Sequence, residues 1–202
     1  MEKGIIIFQK NLIAGKVKSR IAEMVGDQEA LEIYRVLVDY THQQVEHLAC
    51  NKLLYYSDYE ENNHQTGKDY QLFIQSSGDL GQKMGDAFKD QFENGFDCLL
   101  IIGTDCAEIT QDIIEKAFEK LENSDVVIGP AKDGGYYLLG MKRFISGLFY
   151  DIPWSSPEVF KQTSDYLTTH HISFDLLPTL SDVDYLEDWM KVKERLLHPQ
   201  SK

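Results

Sequence analysis

Short apolar runs of strand character alternate with segments of helical period along nearly the whole chain, and that alternation predicts an α/β protein built on a mainly parallel sheet. "GIIIF" gives a first strand over residues 4–8. Ala30, Leu31, Tyr34, Leu37, Val38, Thr41, Val45 and Leu48 then recur at three- and four-residue steps, so a long amphipathic helix is expected over residues 28–50. "KLLYYS" and "YQLFIQ" read as strands two and three, separated by the polar loop "DYEENNHQTGKD" from Asp58 to Asp69. "SSGDLG" makes a turn, residues 82–92 a helix, and "DCLLIIG" a buried strand that contains Cys98. Thr110 caps a helix whose apolar face is Ile113, Ile114, Ala117, Phe118 and Leu121. "DVVIGP" and "DGGYYLLG" supply two more strands. Ser156, as N-cap, and Pro157, at the first helical position, open another helix. "ISFDLLP" is a short strand, and a last helix covers residues 185–197. With no repeat, low-complexity tract or linker, residues 1–202 are expected to form one domain.

Charge narrows the choice of ligand. The formal net charge is −13 and the pI about 4.8, which argues against nucleic-acid and membrane surfaces, since both reward a broad basic face. Yet residues 1–20 hold five cations, Lys3, Lys10, Lys16, Lys18 and Arg20, against Glu2 alone. A small field of the opposite sign suits a small anionic compound. The three cysteines, Cys50, Cys98 and Cys106, follow neither a CxxC nor a zinc spacing, so reduced thiols and a cytoplasmic location are expected. No apolar run reaches the length of a membrane span.

The basic loop after the first strand is not a known phosphate loop. G-x-x-x-x-G-K-[ST] would need glycine at Lys10 and Ser or Thr at Val17. No G-x-G-x-x-G fingerprint occurs here or at "GDLGQKMG", so a nicotinamide or flavin site is unsupported and an oxidoreductase ranks low. An irregular, extended loop would project Lys16, Lys18 and Arg20 to one side, where they can grip a polyphosphate. A solvated basic loop paired with nearby acids accounts for the same letters.

Three further features carry chemistry. "LLIIGTDCAEIT" delivers Asp105 to the carboxyl end of a buried strand, the edge where open α/β sheets bind ligands. There it can hold Mg²⁺ against phosphates, or it can cap the next turn. In "DGGYYLLG" two glycines before a strand allow close ligand approach or a tight hairpin, with Tyr136 and Tyr137 on opposite faces. "LSDVDYLEDW" crowds Asp182, Asp184, Glu187 and Asp188 at the start of the last helix, which suits the helix dipole and also suits a metal.

In order, the motifs "KNLIAGKVKSRI", "QSSGDLGQKM", "IGTDCA", "GPAKDGGYYLLG", "PWSS" and "SDVD" resemble those of the nucleotide-diphospho-sugar transferase superfamily. The similarity is to its bacterial branch of radical-SAM/selenodomain-associated transferases and covers about residues 5–190. It implies a single-domain, three-layer α/β sandwich with a mainly parallel sheet of glycosyltransferase-A type. It also implies that Lys10, Gly15, Lys18 and Arg20 wrap the nucleotide's phosphates, while Ser77, Gly78, Asp79 and Leu80 border base and ribose. Asp105 would bind the metal, Mg²⁺ or Mn²⁺, with Asp184 as second acid. Asp133, Gly134, Gly135, Tyr136 and Trp154 would line the sugar or acceptor side. Leu12 replaces the family's usual proline, and Ala107 the proline of its D-C-P, changes of loop stiffness rather than charge.

The activity implied is metal-dependent transfer from an activated nucleotide, with Lys18, Arg20 and Asp105 as catalytic groups. The donor is a nucleotide sugar, glycosyl passing to a small acceptor, or a nucleoside triphosphate that is attacked at its α-phosphorus. A nucleotide-binding module without turnover is the alternative of another class, motivated by Leu12 and Ala107.

Overall fold

A computed structural model describes residues 1–61 and 69–198. Most of the polar loop expected between Asp58 and Asp69, namely residues 62–68, lies outside the described residues.

The strands are β1 (Lys3–Gln9), β2 (Asn51–Tyr56), β3 (Tyr70–Ile74), β4 (Cys98–Ile102), β5 (Val126–Pro130), β6 (Tyr136–Met141) and β7 (Phe174–Leu176). The helices are α1 (Ser19–Val25), α2 (Asp27–Val45), α3 (Leu80–Glu93), α4 (Gln111–Lys120), α5 (Val159–Thr169) and α6 (Leu186–Leu197). The strands form one sheet in the order β3-β2-β1-β4-β6-β5-β7. Among the described residues only β6 runs antiparallel to its neighbours, β4 and β5; every other strand pairing is parallel.

Both faces of the central strands are buried, which is why their sequences read as unbroken apolar runs. Ile5, Ile7, Leu54, Leu100 and Ile102 point to one face, where Val45 of α2 and Ile114, Ala117 and Phe118 of α4 cover them. Ile6, Leu53, Leu99 and Ile101 point to the other, against Met84, Ala87 and Phe88 of α3 and Leu167 of α5. Helix, sheet and helix thus make the three layers expected. Each such side chain contributes about 1.5–3 kcal/mol by leaving water. Ile21 of α1, Ile33 and Leu37 of α2 and Trp189 of α6 form a further cluster outside the sheet. Beneath the sheet's edge, the His42 ring bridges Gln9 Oε1 at 2.8 Å and the Tyr70 hydroxyl at 2.9 Å, tying α2 to β1 and β3.

Three local expectations need correction. The long helix stops at Val45 rather than at residue 50, because Cys50 already precedes β2. The helix expected from Ser156 begins instead at Val159 with Glu158 as N-cap. There the Phe160 amide donates to Gly134 O at 2.9 Å, so a contact with the β5–β6 turn sets the entry. The loop after β1 is also not extended as far as Arg20. Lys18 is left-handed, with φ 48° and ψ 47°, and α1 starts at Ser19.

Since β1 to β5 are mutually parallel apart from their order, their carboxyl ends share one edge. The chain order reverses at β1, with β2 on one side and β4 on the other. A crevice forms at such a switch point, outside the strand ends.

Candidate active site at the carboxyl edge of the sheet

The loop leaving β1 is fixed before it reaches its charges. Asn11 Nδ2 donates to Tyr59 O and Glu61 Oε1, both at 2.9 Å, and its Oδ1 accepts the Asp58 amide at 2.9 Å. The Lys10 amide donates to the Tyr34 hydroxyl at 2.9 Å, and that hydroxyl pairs with Thr104 Oγ1 at 2.8 Å. The loop after β1 is thereby tied to the loops after β2 and β4. Gly15 turns the chain at φ +77°, where a side chain would crowd the Asp27 carboxylate. Val17 then buries itself against Leu31, Tyr34 and Val38.

These anchors force Lys18 into its left-handed backbone, at a cost of about 1–2 kcal/mol for a residue with a Cβ. Its side chain, 6% exposed, crosses the edge. The ammonium lies 2.6 Å from Asp105 Oδ1 and donates to Val183 O at 2.6 Å; Asp184 Oδ1 is 3.9 Å away. Arg20 Nη1 holds Asp184 Oδ2 at 3.0 Å, and its guanidinium lies over the Tyr185 ring. Lys18, Arg20, Asp105 and Asp184, all singled out in the sequence, therefore converge, although the extended geometry expected of the loop is absent.

The acids arrive from two directions. Gly103 and Thr104 carry the chain off β4 to Asp105. Beyond β7 the chain runs beside β5: the Leu177 amide donates to Ile128 O, Leu180 to Pro130 O, and Lys132 to Leu180 O. The Val183 amide finally meets Asp105 O at 2.9 Å. Asp182 is delivered with it, and burial, reinforced by Asp105 and Asp133, pushes its carboxyl up to about 7. Alternation in "SDVD" was the signal that could have added Asp182 to the site. Thr110, not Asp105, caps α4, its Oγ1 accepting the Ile113 amide at 3.3 Å. Asp188 serves the last helix by accepting the Tyr185 amide. Among the described residues no three metal-ligating side chains form a ready-made cage.

The remaining candidates gather elsewhere on the edge. Ser77 and Gly78 turn into α3, and Asp79 caps that helix by accepting the Gln82 amide at 2.9 Å, so its carboxylate has a structural task. Leu80 is exposed. Asp133 accepts the Gly135 amide at 2.9 Å and holds the β5–β6 turn, with Gly134 at φ +92°. Tyr136 meets Trp154 edge-on at 6.2 Å, and Trp154 lies directly on Gly81. The described contact of Lys10 is made by its backbone, and the residue is exposed.

Among the described residues, the sheet order and the single antiparallel strand define an α/β fold of nucleotide-diphospho-sugar transferase type. The chain belongs to the family DUF2064, described as uncharacterized protein conserved in bacteria, whose profile matches residues 38–156. Among solved structures it is similar to one from Desulfovibrio desulfuricans, provisionally described as a nucleotide-diphospho-sugar transferase. That likeness has 29% identity and a TM-score of 0.90, covering 100% of this chain and 90% of the other. A CMP:2-keto-3-deoxy-manno-octonic acid synthetase complexed with CTP shares the fold at 10% identity and TM-score 0.62, covering 98% and 99%. A Mycobacterium tuberculosis protein in complex with manganese shares it at 10% identity and TM-score 0.55, covering 96% and 99%. No curated protein matches the chain.

Proposed function

We propose that the protein is a nucleotide-dependent transferase that requires a divalent metal and moves a glycosyl group from a nucleotide sugar to a small acceptor. The convergence of Lys18 and Arg20 on Asp105 and Asp184 at the switch point of the sheet carries this reading. Two carboxylates already share one cation there, with a backbone carbonyl beside them. Hard oxygen donors of this kind fit Mg²⁺ or Mn²⁺, which bind one or two carboxylates and fill the rest of their shell with phosphate and water. When bound, the ion would stabilise the charge that grows on the departing diphosphate.

The chain's own groups have these roles. Lys18 and Arg20 pair with phosphate oxygens, Arg20 bidentately and Lys18 as a point charge. Lys10 and Gly15 line the path of the phosphates, and Ser77, Gly78, Asp79 and Leu80 border the base and ribose. Asp133, Gly134, Gly135, Tyr136 and Trp154 orient the sugar or acceptor. The edge-on contact of Tyr136 and Trp154 at 6.2 Å keeps the two rings together beside the β5–β6 turn, as this last assignment needs. No covalent nucleophile is needed, because the donor arrives activated.

Nucleotidyl transfer is the second reading, favoured by the likeness to the CTP-bound synthetase fold. A triphosphate would then be attacked at its α-phosphorus and pyrophosphate would leave. Residues 1–202 act as one domain in either case. Three free cysteines fit a reducing, cytoplasmic setting. No helix among the described residues is long and apolar enough to cross a membrane.

A thermal-shift panel of nucleoside triphosphates and sugar nucleotides, each with Mg²⁺ or with chelator, tests the proposal. At about 100 times its dissociation constant a true donor adds roughly 2.7 kcal/mol, and only with metal. Silence across the panel would overturn the polyphosphate assignment. Binding without release of pyrophosphate or nucleoside diphosphate would favour a module without turnover.

A further inference from the structure

We infer that Lys18 and the divalent metal are mutually exclusive occupants of one set of oxygens, so that the metal enters only together with a phosphate group that takes Lys18 over. This rests on the transferase reading above and adds an order to it. The Lys18 ammonium has three donors and no acceptor, and three oxygens face it: Asp105 Oδ1 at 2.6 Å, Val183 O at 2.6 Å and Asp184 Oδ1 at 3.9 Å. Two carboxylates and a carbonyl form the kind of set a hard divalent ion uses. Arg20 does not compete for it, since it holds the other oxygen of Asp184, Oδ2, from the exposed side.

The shelter of the position makes exclusion strict. With the Lys18 side chain 6% exposed, water screens little of the repulsion between an ammonium and a second cation at contact distance. Asp105 and Val183 are held in register by the Val183 amide on Asp105 O, so the oxygens cannot spread easily to admit both. The lysine, by contrast, has a flexible four-carbon stem and can swing out. It does so at little cost only where new acceptors wait, and phosphate oxygens on the metal supply them. Lys18 is therefore a positioning group for the metal as well as a phosphate ligand. An ion pair that serves stability alone makes no such link between Lys18 and metal affinity.

The test measures Mn²⁺ binding to the full chain by electron paramagnetic resonance of the free ion, alone and with inorganic pyrophosphate. The proteins are the parent, Lys18→Met, Lys18→Gln, Lys18→Arg and Asp105→Asn, with denaturant unfolding to confirm each fold. Either neutral variant suffices if the other fails to fold. Neutral Lys18 variants are expected to bind Mn²⁺ alone about tenfold more tightly than the parent, a usual size for coupled sites. Lys18→Arg should show no such gain. Pyrophosphate should raise the parent's Mn²⁺ affinity far more than that of the neutral variants, and Asp105→Asn should lose Mn²⁺ in both conditions. Neutral variants with the parent's affinity or a weaker one, while Asp105→Asn still abolishes binding, would overturn the exclusion and leave the transferase reading standing. If no protein binds Mn²⁺ with or without pyrophosphate, the metal-dependent reading falls and this inference with it.

Discussion

Lys18 holds an unfavourable backbone, and Asp105 is the partner that makes its burial tolerable. Replacing Asp105 by Asn keeps the shape and one acceptor oxygen but removes the charge that Lys18 faces and that the proposed metal would need. Asn keeps an amide oxygen for the Lys18 ammonium, and the Val183 carbonyl at 2.6 Å and the Asp184 carboxylate at 3.9 Å stay beside it. The stability of the free protein should therefore change by less than about 1 kcal/mol, with relief of repulsion from Asp182 and Asp184 acting against the lost attraction. Metal-dependent nucleotide binding should fall sharply. Denaturant unfolding and nucleotide titration with Mg²⁺ check the two halves separately, and an Asn variant that binds like the parent would remove Asp105 from the site. Lys18 and Arg20 were legible in the sequence as charge out of keeping with its surroundings, Asp105 by its place at the end of an apolar strand, and Asp184 through the family resemblance. Asp182 was hidden among neighbouring acids, since only the course of residues 177–184 beside β5 shows which of them reach Asp105. The clamp made by Asn11 was equally invisible, its partners lying 46 to 50 residues away.

Gly134 shows how one turn can govern an element on the far side of a loop. A Cβ there would fall 2.1 Å from the Pro157 carbonyl oxygen, and the backbone is at φ +92°. Gly134→Ala should therefore cost at least about 2 kcal/mol, strain and overlap adding. The Trp154 indole, carried on the segment between β6 and α5, should shift its fluorescence as well. A Gly134→Ala protein that unfolds at the parent's denaturant midpoint would show that the turn does not set the entry to α5. The same contact explains why Ser156 and Pro157 misled: their letters suit a helix start, but the β5–β6 turn occupies the place where the first turn would form. Helix α1 was missed for a different reason. Seven residues with only Ile21 fully buried give too short a period to read, and Gly26 at φ +87° separates them from α2. Strands β1, β2, β4 and β5 were plain because burial on both faces leaves mostly apolar letters between their ends.

Taken whole, the molecule joins a sheet buried on both sides to an edge crowded with charge, and the two respond differently to acid. His42 is enclosed between α2, β1 and β3, and burial lowers its pKa from 6.5 to about 4. An unfolded chain takes up that proton near pH 6.5 while the folded one refuses it until about 4. His42 therefore gives stability that is present above pH 6.5 and is lost as the pH falls through this window. The loss is up to about 3 kcal/mol. Unfolding midpoints measured from pH 7 to pH 4 should decline in the parent and decline less in His42→Gln, whose amide can still reach Gln9. Equal slopes would acquit His42. The architecture could be read from the sequence because the alternation of periods is a global property that survives errors at single boundaries. The antiparallel β6 could not, since direction depends on which neighbour a strand meets.

The ammonium of Lys18 and the carbonyl of Val183 are 165 residues apart along the chain and 2.6 Å apart in space. During synthesis the first strand and its basic loop leave the ribosome early, whereas the residues that neutralise them come out roughly 10–30 s later at ordinary elongation rates. Within that interval Lys18 can meet Asp105 but neither the Val183 carbonyl nor Asp184. The cluster closes only when Leu180 has paired with the end of β5 and Val183 with Asp105, so a ribosome-bound chain halted before Asp182 can fold most of its sheet and still lack half of the candidate site.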